Sequence, residues 1–77
     1  MTTNSLSVAD PAIEIDARGM KCPWPALRAA RAMREAARVT IRADDPIAEK
    51  ELGALATQHG WSFATLGEAT FLLTRPQ

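Results

Sequence analysis

The sequence contains a single cysteine, Cys22, in an unusual setting: a lysine precedes it, and two prolines separated by a tryptophan follow, Lys21-Cys22-Pro23-Trp24-Pro25. A thiol reacts as its thiolate, which nearby cations and the positive end of a helix both favour. The local sequence predicts such surroundings. Pro23 suits the first position of a helix, where its missing N–H has no intrahelical acceptor, and Pro25 in the third position likewise omits no required bond. Cys22 then falls at the helix cap, facing the dipole and the unpaired amide of Trp24, with Lys21 and Arg18 or Arg28 adding positive potential. A lone cysteine is often an inert small hydrophobe in a core, but a cap position lies near the surface and favours reactivity.

Several chemistries need more than this chain offers. An acyl-transfer nucleophile requires a neighbouring base and an oxyanion site, and the one histidine, His59, falls at the far end of the second predicted helix. One Cys and one His make at most a partial metal site, so neither a metal nor another cofactor is expected. With no second cysteine there is no internal disulfide and no Cys-x-x-Cys pair. What remains is a thiol that exchanges a group with partners. It can carry sulfur as a persulfide, whose anion the positive surroundings stabilise, or form mixed disulfides as a redox or regulatory adaptor.

The elements that must position Cys22 follow from periodicity. Residues 1–11 are polar and end in Asp10-Pro11, which reads as a flexible lead-in to a single domain over residues 12–75. Residues 12–17 alternate, with Ile13 and Ile15 opposed by Glu14 and Asp16, as in a half-buried strand, and a turn at Gly19 follows. From Pro23 a helix is expected with Leu27, Ala30, Met33 and Ala37 inward and Arg28, Arg31 and Arg34 alongside. Residues 38–43 return to a period of two. Asp45 and Pro46 mark a second helix start, Ala48, Leu52, Leu55 and Ala56 its inner stripe, and Gly60 its end. Two short strands joined through Leu66-Gly67-Glu68 complete the chain. The expected fold is therefore α+β, a two-layer β-α-β-α-β-β sandwich with both helices on one face of a four-stranded mixed sheet and the other face wet.

At 77 residues there is room for one core and no separate binding domain, and 47% hydrophobic content argues against disorder throughout. Net charge is zero, yet residues 18–42 carry an excess of six positive charges and the remainder six negative. An RNA-binding module is the alternative that the arginines suggest, but an aromatic platform, a glycine-rich clamp and an overall basic charge are missing from the sequence, so direct nucleic-acid binding is not expected. The start lacks a basic segment followed by an apolar run, and no stretch is long and apolar enough to span a membrane. A cytoplasmic protein with a reduced thiol is the expectation.

Asp16, Gly19, Cys22-Pro23 and Pro25, followed by an Arg-bearing helix, together resemble the signature of the TusA (SirA-like) family of small sulfur carriers. The resemblance continues through Asp44-Asp45-Pro46 and Gly60, spanning nearly all of residues 12–75. It implies that Cys22 accepts sulfane sulfur from a cysteine desulfurase or rhodanese-like donor and relays it to an acceptor protein in tRNA thiolation, molybdenum-cofactor assembly or sulfur oxidation. Such a sulfurtransferase-type carrier takes part covalently while its partners do the rest of the chemistry. Asp16 would shape the turn, and Lys21, Trp24, Arg28 and Arg31 are candidates for stabilising the thiolate or docking a partner. The chain differs from the family pattern at Glu51-Leu52-Gly53, where Asp, an aliphatic residue and Pro are common.

Overall fold

The computed structural model describes residues 12–76; the lead-in expected over residues 1–11 lies outside them. Strand β1 (Ala12–Asp16), helix α1 (Trp24–Ala32), strand β2 (Arg38–Arg42), helix α2 (Ala48–His59) and the hairpin of β3 (Ser62–Gly67) and β4 (Thr70–Thr74) follow one another in the expected order. The sheet order is β1-β2-β4-β3, with β1 parallel to β2 and the other pairings antiparallel. The sheet is therefore mixed, and α1 packs against β1 and β2 while α2 packs against α1 and β3, forming the second layer.

Register explains why alternation in sequence becomes a core. Ile13, Val39, Leu73 and Phe63 lie side by side across the four strands, and Ile15, Ile41, Phe71 and Thr65 form the next row. Alanines on the helices, Ala29, Ala48 and Ala56, are buried against these rows with Met33 and Leu52, so the layers approach closely. The opposite sheet face carries the row Glu14, Thr40, Leu72 and Ala64. Thr40 and Thr70 thus belong to the open face, whereas Thr65 shares the helix side and donates to Glu49 on α2 at 3.4 Å. Gly53 on α2 faces Phe63, and a Cβ there would lie 3.6 Å from its ring, an ordinary packing distance.

Three expectations are corrected. The inner face of α1 is built on Pro25, Ala29 and Met33, while Leu27 is 52% exposed. Residues two apart on a helix point about 200° apart, so burying Pro25 turns Leu27 outward. The hairpin turns at Glu68-Ala69, and the positive φ belongs to Ala69 (54°) rather than Gly67, because Leu66 is an extra residue between the Thr65 and Gly67 pairings that carries β3 further. Each helix also begins later than expected, α1 at Trp24 and α2 at Ala48. Gly60 does end α2, with φ of 75° and Trp61 N–H donating to the Ala56 carbonyl in a Schellman pattern. Among the described residues no helix is long and apolar enough to cross a membrane.

Candidate functional site

The path from β1 to α1 is a short loop fixed at successive points. Ala17 N–H still pairs with the Arg42 carbonyl of β2 at 2.7 Å, and Met20 N–H closes a turn onto the Ala17 carbonyl at 3.1 Å. Gly19, third in that turn, has φ of 86°, a conformation that favours glycine. The Asp16 carboxylate meets the Arg18 guanidinium at 2.8 Å through both of its oxygens and also accepts the Arg18 backbone N–H. These bonds from Arg18 hold the Asp16 carboxyl well below the usual carboxylate range.

The β2–α2 connection grips the same loop. Asp44 Oδ1 accepts the Gly19 N–H, Asp45 Oδ2 accepts the Cys22 N–H, and Asp45 Oδ1 accepts the Ile47 N–H, each at 2.9 Å. Asp45 therefore caps the turn that leads into α2 and anchors the thiol residue at once. From sequence, Asp44-Asp45-Pro46 signals only a helix start. The surplus acid of the pair is the one hint that a second polar partner is being served.

Cys22 is half-buried and precedes the helix cap instead of occupying it. The Pro23 carbonyl accepts the first helical bond, from Leu27 at 3.0 Å, which makes Pro23 the cap; the Cys22–Pro23 peptide is cis. The Trp24 amide, expected to face the sulfur, donates to the Lys21 carbonyl at 2.9 Å. Pro25 is fully buried and seats the first turn of α1 on the core.

The electrostatic expectation is reversed. The Cys22 thiol is pushed above its ordinary pKa, first by partial burial and then by the negative charges of Glu51 and Asp45. Both acids come from the negatively charged part of the chain, which folding brings against a loop that is basic in sequence. The cations are only partly recruited. Arg28 makes a long contact of its Nη1 with the Met20 sulfur, 3.8 Å, and with Arg31 lines a groove along β1 that also holds Glu14 and Glu35. Lys21 borders a depression of about 150 Å³ shared with Gly19, Met20, Asp44, Asp45 and Pro46. His59 is stacked on Trp61, ring centroids 4.4 Å apart, at the other end of α2 from the loop.

The segments on either side of the thiol loop expose large apolar side chains. Trp24 is 60% exposed, with Leu27 one turn further along the same face of α1, and Ile47, 52% exposed, shares Asp45 with Cys22. Sequence marks Trp24 as a candidate docking residue, places Leu27 on the inner face of its helix and gives Ile47 no role.

A SirA-like protein from Desulfitobacterium hafniense has a similar crystal structure, with a TM-score of 0.74 and 27% sequence identity over 84% of this chain and 99% of that one. No curated protein matches the sequence. Residues 13–74 match the family described as sulfurtransferase TusA, a span running from β1 through the thiol loop to the last strand, and the chain belongs to this family of small sulfur carriers.

Proposed function

We propose that Cys22 carries sulfane sulfur as a persulfide, taking it from a cysteine desulfurase or rhodanese-like donor and handing it to an acceptor protein. The observation that carries this reading is the placement of the chain's one thiol on a braced loop, between segments that expose Trp24, Leu27 and Ile47. Such a surface suits brief, direct contact with another protein, since tryptophan and clustered apolar groups anchor interfaces. Arg28 and Arg31 on the adjoining face extend the landing surface towards acidic partners.

In the transfer, the Cys22 sulfur attacks the terminal sulfur of the donor persulfide. A new S–S bond forms at Cys22 as the donor's S–S bond breaks. The donor leaves as a thiolate and regains a proton, so a persulfide and a thiol become a thiol and a persulfide with no net oxidation. The acceptor's thiol repeats the step on the new terminal sulfur, which stands about 2 Å beyond Sγ. Both phenylalanines stack together on the helix side of the sheet and give the open face no platform for bases, which favours a protein acceptor over direct RNA binding. The acceptor would serve tRNA thiolation, molybdenum-cofactor assembly or sulfur oxidation, and a single reduced thiol suits the cytoplasm.

Mass spectrometry after incubation with a cysteine desulfurase and cysteine, and in parallel with a thiosulfate-fed rhodanese, tests the proposal. A reducible gain of sulfur on the Cys22 peptide, lost in Cys22→Ser while the fold is kept, is expected. Stable mixed disulfides without sulfur gain from either donor would replace it with the redox-adaptor reading.

A further inference from the structure

Two hydrogen bonds single out Asp45. Its Oδ1 accepts the Ile47 N–H in the turn ahead of α2, and its Oδ2 is committed to the N–H of the residue that bears the sulfur, both at 2.9 Å. One carboxylate is thus the joint between the thiol loop and the second helix. We propose that Asp45 is a positioning residue for sulfur transfer: it fixes the Cys22 backbone against the start of α2 and so sets where the sulfur meets a partner's. The transfer half of this proposal rests on the carrier reading of Cys22.

The geometry supplies the anchor. A backbone amide held by a carboxylate oxygen fixes the origin of a short side chain, and Sγ is only two bonds from the Cys22 Cα, so its position follows that anchor closely. A misplacement of about 1 Å in a transfer reaction can cost up to roughly a hundredfold in rate. The charge is permanent in the relevant range, because bonds from the Ile47 and Cys22 amides, with Lys21 nearby, hold the Asp45 carboxyl below its ordinary pKa. Around Cys22 stand Lys21 in its own loop, Arg28 on α1, Asp44 and Asp45 in the β2–α2 connection and Glu51 on α2. Burial and the Glu51 and Asp45 charges push the thiol up in spite of the two cations. The persulfide's terminal sulfur lies one S–S bond, about 2 Å, beyond Sγ.

Asp45→Asn separates this role from mere stability. Asparagine has one acceptor oxygen, so at least one of the two bonds is lost together with the charge. Three quantities are measured on the full chain: the pH dependence of Cys22 alkylation by iodoacetamide, the amide resonances of Cys22 and Ile47, and the rate of sulfur transfer from a thiosulfate-fed rhodanese. The expected result is a folded protein whose alkylation midpoint moves to lower pH, whose two amide resonances shift, and whose transfer slows about tenfold or more. Glu49→Gln, which removes a charge from the same helix turn without touching the loop, leaves the midpoint in place. Wild-type alkylation and transfer in Asp45→Asn, or losses that match its unfolded fraction, would overturn the proposal. If Asp45→Asn does not fold, Asp45→Glu keeps the charge and displaces it by a methylene; slower transfer with an unmoved midpoint is then expected, and unchanged transfer overturns it. Failure of the wild type to take up sulfur would sink the carrier reading, while alkylation and the amide resonances would still decide whether Asp45 holds Cys22.

Discussion

The two helices start in opposite ways. α2 is entered through Asp45 and Pro46 and carries Glu49 and Glu51 in its first turn, so its positive end is answered by carboxylates. α1, which like α2 has no side-chain bond at its cap residue, is entered through Cys22-Pro23-Trp24-Pro25, has no acid in its first turn, and shows Trp24 and Leu27 to solvent. One start is electrostatically complete and the other is left to the thiol and to whatever docks there. The complete start also lends its surplus: Asp45 reaches across to the Cys22 amide, and Asp44 to Gly19. A site that looks basic and self-contained in sequence is therefore held in place by the acidic connection that leads into the helix beside it.

The comparison breaks most severely if α2 loses its seat. Leu52 is fully buried one turn into the helix, whereas the first turn of α1 rests on Pro25 and then on small Ala29. Leu52→Ala is expected to cost about 2–5 kcal/mol, since the lost transfer energy adds to the cavity left behind. For a domain of this size that is a large share of the total, which for folded domains generally is about 5–15 kcal/mol. Urea unfolding measures it, and the Cys22 amide resonance should broaden in the same variant because the clamp rides on α2. A loss below about 1 kcal/mol would show that the start of α2 is not what organises the site.

A smaller effect appears on changing pH and reads the same asymmetry from the thiol. The Cys22 pKa is raised in the folded chain, so folding disfavours its ionised form. Its contribution to stability is complete below the unfolded value of about 8.5 and is lost as pH rises through the folded pKa. Asp45 is the mirror image. Its pKa is lowered, so its contribution is present above the ordinary carboxylate value of about 3.9 and fades as pH falls through the folded pKa. Unfolding midpoints measured across pH should decline on the alkaline side in the wild type and less so in Cys22→Ser. Alkylation should also have its midpoint at higher pH in the folded chain than in the urea-unfolded one. A folded midpoint below the unfolded one would mean that the dipole of α1 and Lys21 outweigh the acids after all.

Why the sequence points to the wrong sign here is physical. Period-two alternation in residues 12–17 and 38–43 reports one buried face, and the register rows through Val39 and Ile41 follow from it directly. The single cysteine, its two prolines, the glycine turn and Asp16 are likewise contiguous, and local sequence defines their local structure. The Asp45–Cys22 contact joins residues 23 apart in the chain, and nothing in the composition of either segment marks the other as its partner. Alternation leaves the phase of β3 open for a related reason: the apolar Phe63 and Leu66 have opposite parity, and pairing of Thr65 with Phe71 is what chooses the face. Leu27 and Ile47 were legible as apolar but not as exposed, because exposure depends on which neighbour fills the core first, and Pro25 does so on α1.

The exposed side of α1 gives the last and, for the fold, the slightest perturbation. Trp24 is 60% exposed, and its backbone amide, not its ring, makes the local hydrogen bond to Lys21. Trp24→Ala should therefore leave stability within about 0.5 kcal/mol. Its effect belongs to the encounter between proteins: if Trp24, Leu27 and Ile47 form the rim that a partner covers, removing the largest of them slows transfer from a protein donor while a small alkylating reagent reacts with Cys22 at its usual rate. Measuring both rates on one variant separates a contact from a chemical role. Equal slowing of the two would assign Trp24 to the thiol's own reactivity, and no slowing of either would leave the open start of α1 without an apolar function.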